Sequence, residues 1–324
     1  MKTGIIDVGG GLRGIYGAGV LDRCMEQGVK FDCCIGVSAG AANMTSYVAG
    51  QCGRNKPFYE DYSFRPEYMS VKNLLRKHSY LDLDYVYGTL SNADGENPLD
   101  YEAMMQDPRE LYIVATEAQT GKARYFTKAD LRQDDYRSLM ASCCIPVVDQ
   151  PYCIDGVPYY DGGLADPVPL EKAFALGCDR VALILTKPVA PERNSRRDAE
   201  LAKLLRHRYP EAAKGLALRA EHYNKAVRQA LKLEQQGKAC IIAPNSTDQR
   251  PEKPGKDVPE GLAGCRETHP VGQRFERIKN DVTTQKCLPG AENREGVFSF
   301  SEQIPAAFRR ENAGHGQCFS LEKR

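Results

Sequence analysis

No stretch of the 324-residue chain reaches the ~18 consecutive apolar residues that a membrane span requires. Charge is almost balanced, at a formal +1, so nothing global points to nucleic acid or to a polybasic membrane anchor. The opening Met1-Lys2-Thr3-Gly4-Ile5-Ile6-Asp7 does not read as a secretion signal: its apolar run is short and an acid interrupts it. Twelve cysteines without such a signal fit reduced thiols and predict a cytoplasmic protein. They never form a CxxC pair, which argues against structural zinc. Cys33-Cys34 and Cys143-Cys144 sit in apolar runs and read as small core residues. There are no internal repeats. Histidine is scarce too: His78, His207, His222, His269 and His315 all lie outside any motif and read as solvated surface residues.

Tyrosine stops early. All 17 precede residue 244, after which prolines, glycines and charges recur and periodicity is weak apart from Phe275, Ile278 and Val282. The chain is therefore divided into a domain over 1–243 and an atypical segment over 244–324, expected to be loosely ordered or to pack only against a partner.

What is present is concentrated near the start. Residues 4–8 read as a buried strand, followed by Gly9-Gly10-Gly11-Leu12-Arg13-Gly14 and then Ile15, Ala18, Leu21 and Met25 at helical spacing. A second strand over 31–35 leads into Gly36-Val37-Ser38-Ala39-Gly40 and a small-residue helix. A serine between strand and helix stands at the apex of a sharp turn, its hydroxyl clear of the backbone, with the amides of the new helix facing the same point. This is a nucleophile elbow. Such alternation predicts an α/β fold with a parallel sheet wrapped by helices. Further strands are predicted over 110–116, 180–186 and 238–243, with a hairpin return over 123–126. Helices are predicted over 136–144, 170–176 and 194–208, and again along Leu216, Ala220, Tyr223, Val227 and Leu231. Residues 51–68 read as loop, and 82–90 fit neither period.

Ester hydrolysis needs a nucleophile, a base and donors for the oxyanion. Ser38 supplies the first. The N–H groups of Gly9, Gly10 and Gly11, with that of Ala39, supply the third from the carboxyl end of the neighbouring strand, where open α/β sheets form their crevice. Asp161, between the aromatic strand 157–160 and Gly162-Gly163, is a better base than any histidine, because the turn after it exposes one side chain.

Three glycine turns carrying Gly, Ser and Asp in that order resemble the signatures of patatin-like phospholipases. The resemblance runs over about 3–186, less specifically to 244, and the stretch 100–126 looks like the bacterial branch. It implies a three-layer α/β/α sandwich around a mostly parallel sheet, and a Ser38–Asp161 dyad with no catalytic histidine. It also implies an oxyanion loop at Gly9, Gly10 and Gly11, and turn glycines at Gly14, Gly36, Gly40, Gly162 and Gly163. The implied reaction is hydrolysis of acyl esters of lipids without a metal or other cofactor. The implied partners are a lipid or acyl-ester substrate and at most a transient membrane contact, with no nucleic acid. The segment after 244 departs from the short helical end, rich in Leu, Lys and Tyr, of bacterial relatives.

Three rivals stand beside it. GxGxxG after a strand is also a dinucleotide fingerprint, but the acid that fingerprint needs would end the second strand, and Asp32 begins it. A Ser-His-Asp triad would need a later histidine to reach Ser38. A lipid-binding module on a degraded hydrolase fold would need neither Ser38 nor Asp161 as they stand. Access is expected between 51–90 and the helices of 194–237, whose apolar faces read foremost as core. Arg13 reads as a solvated loop residue.

Overall fold

The computed structural model describes residues 1–245, so nearly all of the 244–324 segment lies outside the described residues. The apolar runs form strands buried on both faces, as central parallel strands must be. The chain begins β1 (Thr3–Asp7), α1 (Ile15–Glu26), β2 (Cys33–Val37) and α2 (Ala39–Val48), with a 3-10 turn over Gly11–Gly14. There follow α3 (Lys56–Glu60), α4 (Val71–Lys77), α5 (Tyr101–Gln106), β3 (Glu110–Glu117), β4 (Ala123–Thr127) and α6 (Arg137–Cys143). It ends with β5 (Tyr152–Ile154), β6 (Val157–Asp161), α7 (Leu170–Ala175), β7 (Arg180–Ile184), α8 (Arg196–Leu205), α9 (Pro210–Gln235) and β8 (Ala239–Ile242).

The eight-stranded sheet is mixed, in the order β5-β6-β3-β2-β1-β7-β8, with β4 on β3. β3, β2, β1, β7 and β8 are mutually parallel, while β4, β5 and β6 pair antiparallel. Alternate residues feed two cores. Ile5, Cys34, Ala182 and Ile184 face α1, α2 and α6. Ile6, Cys33, Ile35, Val181 and Leu183 face α7 and the later turns of α9, through Leu170, Ala173, Tyr223 and Val227. Helices therefore cover both faces of the sheet, and both adjacent cysteine pairs are buried, Cys33-Cys34 in β2 and Cys143-Cys144 at the end of α6.

One register decides the site. Ala115 and Thr116 of β3 pair with Arg124 and Ala123 of β4 and also with Asp161 and Tyr160 of β6. A strand has two edges, so β6 must occupy the edge that β2 occupies further back. β2 reaches Val114 with Val37, and β6 arrives from the opposite direction with Asp161 on Ala115. The two strands meet end to end, and the residues at their meeting point are Ser38 and Asp161.

Two stretches differ from expectation. Residues 51–68 hold α3 and a 3-10 turn, Tyr62–Phe64, instead of only loop. Pro57 in the first turn of α3 presets its backbone, and Phe58 packs edge-on against Tyr59 and Tyr68 with centroids 5.1 and 5.4 Å apart. Residues 82–90 contain a π-helical turn, Tyr85–Leu90, a form with no apolar signature of its own. No helix among the described residues is long and apolar enough to cross a membrane.

Candidate active site

Ser38 has a positive φ, 57°, with ψ −133°, which a non-glycine residue adopts only where its surroundings enforce it. Its N–H donates to the Ser142 hydroxyl at 2.9 Å, and that hydroxyl donates to the Val114 carbonyl at 2.6 Å. Gly36 and Gly40 are needed for close approach: a Cβ on the first would overlap Ala41, and on the second the Asp7 carbonyl. The Ala39 N–H opens α2 with no acceptor among the described residues.

Asp161 is buried, stands beside the Ser38 hydroxyl, and accepts a hydrogen bond from the Gly163 N–H at 2.8 Å. Its own N–H donates to the Cys144 carbonyl at 2.7 Å, and its carbonyl accepts from the Thr116 hydroxyl at 2.9 Å. Gly162 lies so close to Val114 that a Cβ would overlap the Val114 carbonyl. Burial raises the Asp161 pKa above its usual value, against the Ser38 hydroxyl, the Gly163 hydrogen bond and the Arg219 charge. The result is a carboxylate more basic than one in water, beside a serine hydroxyl.

The glycine loop divides its work. Gly9, at φ 60°, is pinned between the Val37 carbonyl and the first amides of α2, and its N–H is already given to Asp7 Oδ1 at 2.9 Å. It therefore has no N–H to spare for an oxyanion. The N–H groups of Gly10 and Gly11 find no acceptor among the described residues. Gly14 abuts Ala39 and the Tyr59 hydroxyl, and Arg13 folds back until its guanidinium stands 3.2 Å from where a Gly10 Cβ would be.

Asp7 went unnoticed in the sequence. It is fully buried, and its second carboxyl oxygen accepts from Asn43 at 3.0 Å. Asn43 also donates to the Gly14 carbonyl at 2.9 Å and accepts from the Tyr59 hydroxyl at 3.2 Å. This network ties the glycine loop to α2 and the pocket wall. Burial pushes the Asp7 pKa up to about 6. A signal existed: an acid two residues before a glycine, at the end of an otherwise apolar strand, is placed to bond that glycine's N–H. Ser142 had no such signal, since its partner lies 104 residues away.

From Ser38 opens a pocket walled mainly by apolar and aromatic groups such as Leu12, Phe58, Tyr68, Met69, Val86 and Ile145. Gly11 and Ala39 line it beside Ser38. Residues 51–91 build its wall as expected, but nothing from 194–237 lines it. Leu216, Ala220, Tyr223 and Val227 are buried in the core instead. Asp149 staples the rim, accepting from the Leu81 N–H at 2.9 Å and the Ile145 N–H at 3.3 Å. Burial raises its pKa to about 6. The folded state thus binds this proton more tightly than the unfolded chain, so its contribution to stability is full below about pH 4 and is lost as pH rises toward 6. Asp149→Asn removes that loss. Between pH 4 and pH 7 the wild type is expected to lose about 2–3 kcal/mol relative to the variant, read from urea midpoints at each pH.

His78, His207 and His222 are exposed, and none lines the pocket; His269 and His315 lie outside the described residues. Asp32 bonds Thr3 at the start of β1, at the opposite end of the strands from the glycine loop, where a dinucleotide-binding acid would be of no use.

An α/β sheet with a serine on a strand–turn–helix elbow and a carboxylate beside it is an arrangement that serine hydrolases use. The chain belongs to the patatin-like phospholipase family, whose family model matches residues 8–174. Curated relatives include YjjU, an uncharacterized protein of Escherichia coli K12, 28% identical over 202 residues, which are 58% of this chain and 52% of that protein. An uncharacterized NTE family protein of Mycobacterium tuberculosis is 26% identical over 197 residues, 59% of this chain and 50% of its own length. The chain thus spans about half the length of the curated relatives it matches. Among solved structures, VipD from Legionella pneumophila superposes with a TM-score of 0.37 and 14% identity, covering 86% of this chain and 67% of that one.

Proposed function

We propose that the protein hydrolyses acyl esters of lipids through Ser38 and Asp161. The observation that carries this reading is the Ser38 hydroxyl standing beside a buried, basic carboxylate and lining an apolar pocket. Asp161 takes the hydroxyl proton as Ser38 Oγ bonds to the ester carbonyl carbon. The carbonyl electron pair moves onto oxygen, which meets the N–H groups of Gly10, Gly11 and Ala39. Collapse breaks the ester bond, and the leaving alkoxide takes the proton from Asp161. Water then repeats the sequence on the acyl-enzyme, releasing the fatty acid and restoring Ser38. The pocket receives the acyl chain. A single carboxylate is a modest base for a serine hydroxyl. Burial makes it a better one, and unpaired N–H donors in a dry site hold the developing charge, each worth about 10²–10³ in rate.

The test is hydrolysis of a chromogenic acyl-ester series by the wild type and Ser38→Ala, both checked for folding by circular dichroism. Loss of turnover in the variant supports the reading. A wild type inactive at every chain length would give way to the lipid-binding reading. The pH profile separates dyad from triad. A base must be deprotonated, so kcat/KM is expected to fall as pH drops through the raised Asp161 pKa, whereas a histidine base would put that limb near its usual pKa of about 6.5. His207→Ala and His222→Ala are expected to leave the profile unchanged.

A further inference from the structure

We propose that α4 is the surface by which the protein seats on an anionic lipid bilayer. This deepens the reading of the site as a lipid hydrolase and rests on it. Met69 and Leu81, both in the pocket wall, pair with each other across an antiparallel bridge. The ten or so residues between them are therefore an excursion from the pocket rim, and α4 is its body. None of its residues is buried.

Its amphipathicity is inverted. The side turned to the protein is polar: Asn73 donates to the Glu67 and Tyr68 carbonyls, and Lys77 pairs with Asp82 at 2.5 Å. Val71, Leu74 and Leu75, spaced as one helical face, are 64, 43 and 75% exposed. Tyr80 beside them is exposed, as is Val147, whose neighbour Val148 accepts the Tyr80 N–H. A surface helix of a self-contained domain turns its apolar face inward; this one presents it to the surroundings, which marks an interaction site.

Charge selects the occupant. Lys72 and Arg76, one turn apart, flank the apolar stripe and pair with no carboxylate among the described residues. α4 carries no acid, and the nearest acids, Glu67 and Asp82, stand at its two ends, Asp82 already joined to Lys77. A short helix with leucines on one face and free cations beside them fits the headgroup region of an anionic bilayer, where the apolar groups sink and the cations meet phosphates. Seated so, and tied to the pocket wall through Met69 and Leu81, it brings the pocket to the lipids.

The test is co-sedimentation of the full chain, carrying Ser38→Ala to prevent turnover, with phosphatidylcholine vesicles alone or with about a third phosphatidylglycerol. Binding to the anionic vesicles is expected, weakening with salt. It should fall about tenfold in Leu74→Ser/Leu75→Ser and in Lys72→Glu/Arg76→Glu. The same substitutions on the active chain should leave hydrolysis of a soluble short-chain ester unchanged, since none of these residues lines the pocket. Variants that bind vesicles like the parent overturn the proposal. So does a wild type that cleaves soluble esters yet binds no vesicle; absence of ester cleavage would instead count against the hydrolase reading. Hydrogen exchange identifies other occupants. Amides of 71–77 are expected to exchange fast in the free protein and slow with vesicles. Protection before vesicles are added overturns the proposal, concentration-independent protection pointing to residues 246–324 of the same chain and concentration-dependent protection to a second copy.

Discussion

Asp161→Asn is expected to lower kcat toward soluble acyl esters by about 10³–10⁴ while leaving KM nearly unchanged. The two sides of that expectation have different sources. The pocket proposed to take the acyl chain is walled mainly by residues 51–91 and is not lined by Asp161, so ground-state binding is expected to persist. Chemistry does not. Asp161 Oδ1 holds the Gly163 N–H, and an asparagine keeping that bond turns its amide nitrogen toward Ser38. The polarity then reverses: an amide donor faces the hydroxyl where a carboxylate acceptor stood. The serine keeps its place and loses its base. Folding should not suffer, because a buried charge has been removed and burial already opposed that charge. Urea midpoints equal to or above the wild type's, beside the collapse in kcat, are therefore the expected pair. An Asp161→Asn enzyme retaining more than a tenth of wild-type kcat would remove Asp161 as base. The base would then have to be sought among His269 and His315, since the described histidines do not line the pocket.

The part of this site that was legible in the sequence is the part written in local geometry. A glycine loop after an apolar run, a serine between two glycines and an aspartate before two more are backbone shapes that few other residues allow, so their positions betray them. The same holds for β1, β2 and β7, whose apolar runs are long enough to bury both faces. What stayed hidden is held by contacts between distant residues. The pocket wall carries no period, because Phe58, Tyr59 and Tyr68 are arranged by packing on one another edge to face. The meeting of β2 and β6 on one edge of β3 cannot be read from either strand, although it alone brings Ser38 to Asp161. Three adjacent glycines also looked equivalent as donors. Only the fold distinguishes the one whose N–H Asp7 has already taken.

That distinction has a measurable consequence in Gly9→Ala set beside Gly11→Ala. Both residues sit at φ 60°, where a Cβ costs about 1–2 kcal/mol of backbone strain. There the likeness ends. A Cβ on Gly11 meets nothing within 4 Å, so strain is the whole cost and its N–H stays where it was. A Cβ on Gly9 runs into the Val37 carbonyl and stands 2.7 Å from the Gly40 nitrogen, both of them backbone of the elbow. Neither can yield without moving Ser38, so overpacking adds about 1–3 kcal/mol. The expected losses in urea stability are therefore about 1–2 kcal/mol for Gly11→Ala and about 2–5 kcal/mol for Gly9→Ala. Activity should separate more widely. Gly11→Ala is expected to stay within about tenfold of wild type, since its donor survives. Gly9→Ala pushes the loop away from α2 and with it the Gly10 and Gly11 donors, a displacement equivalent to losing at least one of them, or about 10²–10³ in kcat. If Gly9→Ala proves too unstable to assay at 25 °C, its midpoint with and without a covalent Ser38 inhibitor still reports the loop, because an acylated serine needs the same donors. Equal effects of the two substitutions would mean that the glycine loop does not rest on the elbow, and the oxyanion donors would then have to come from α2 alone.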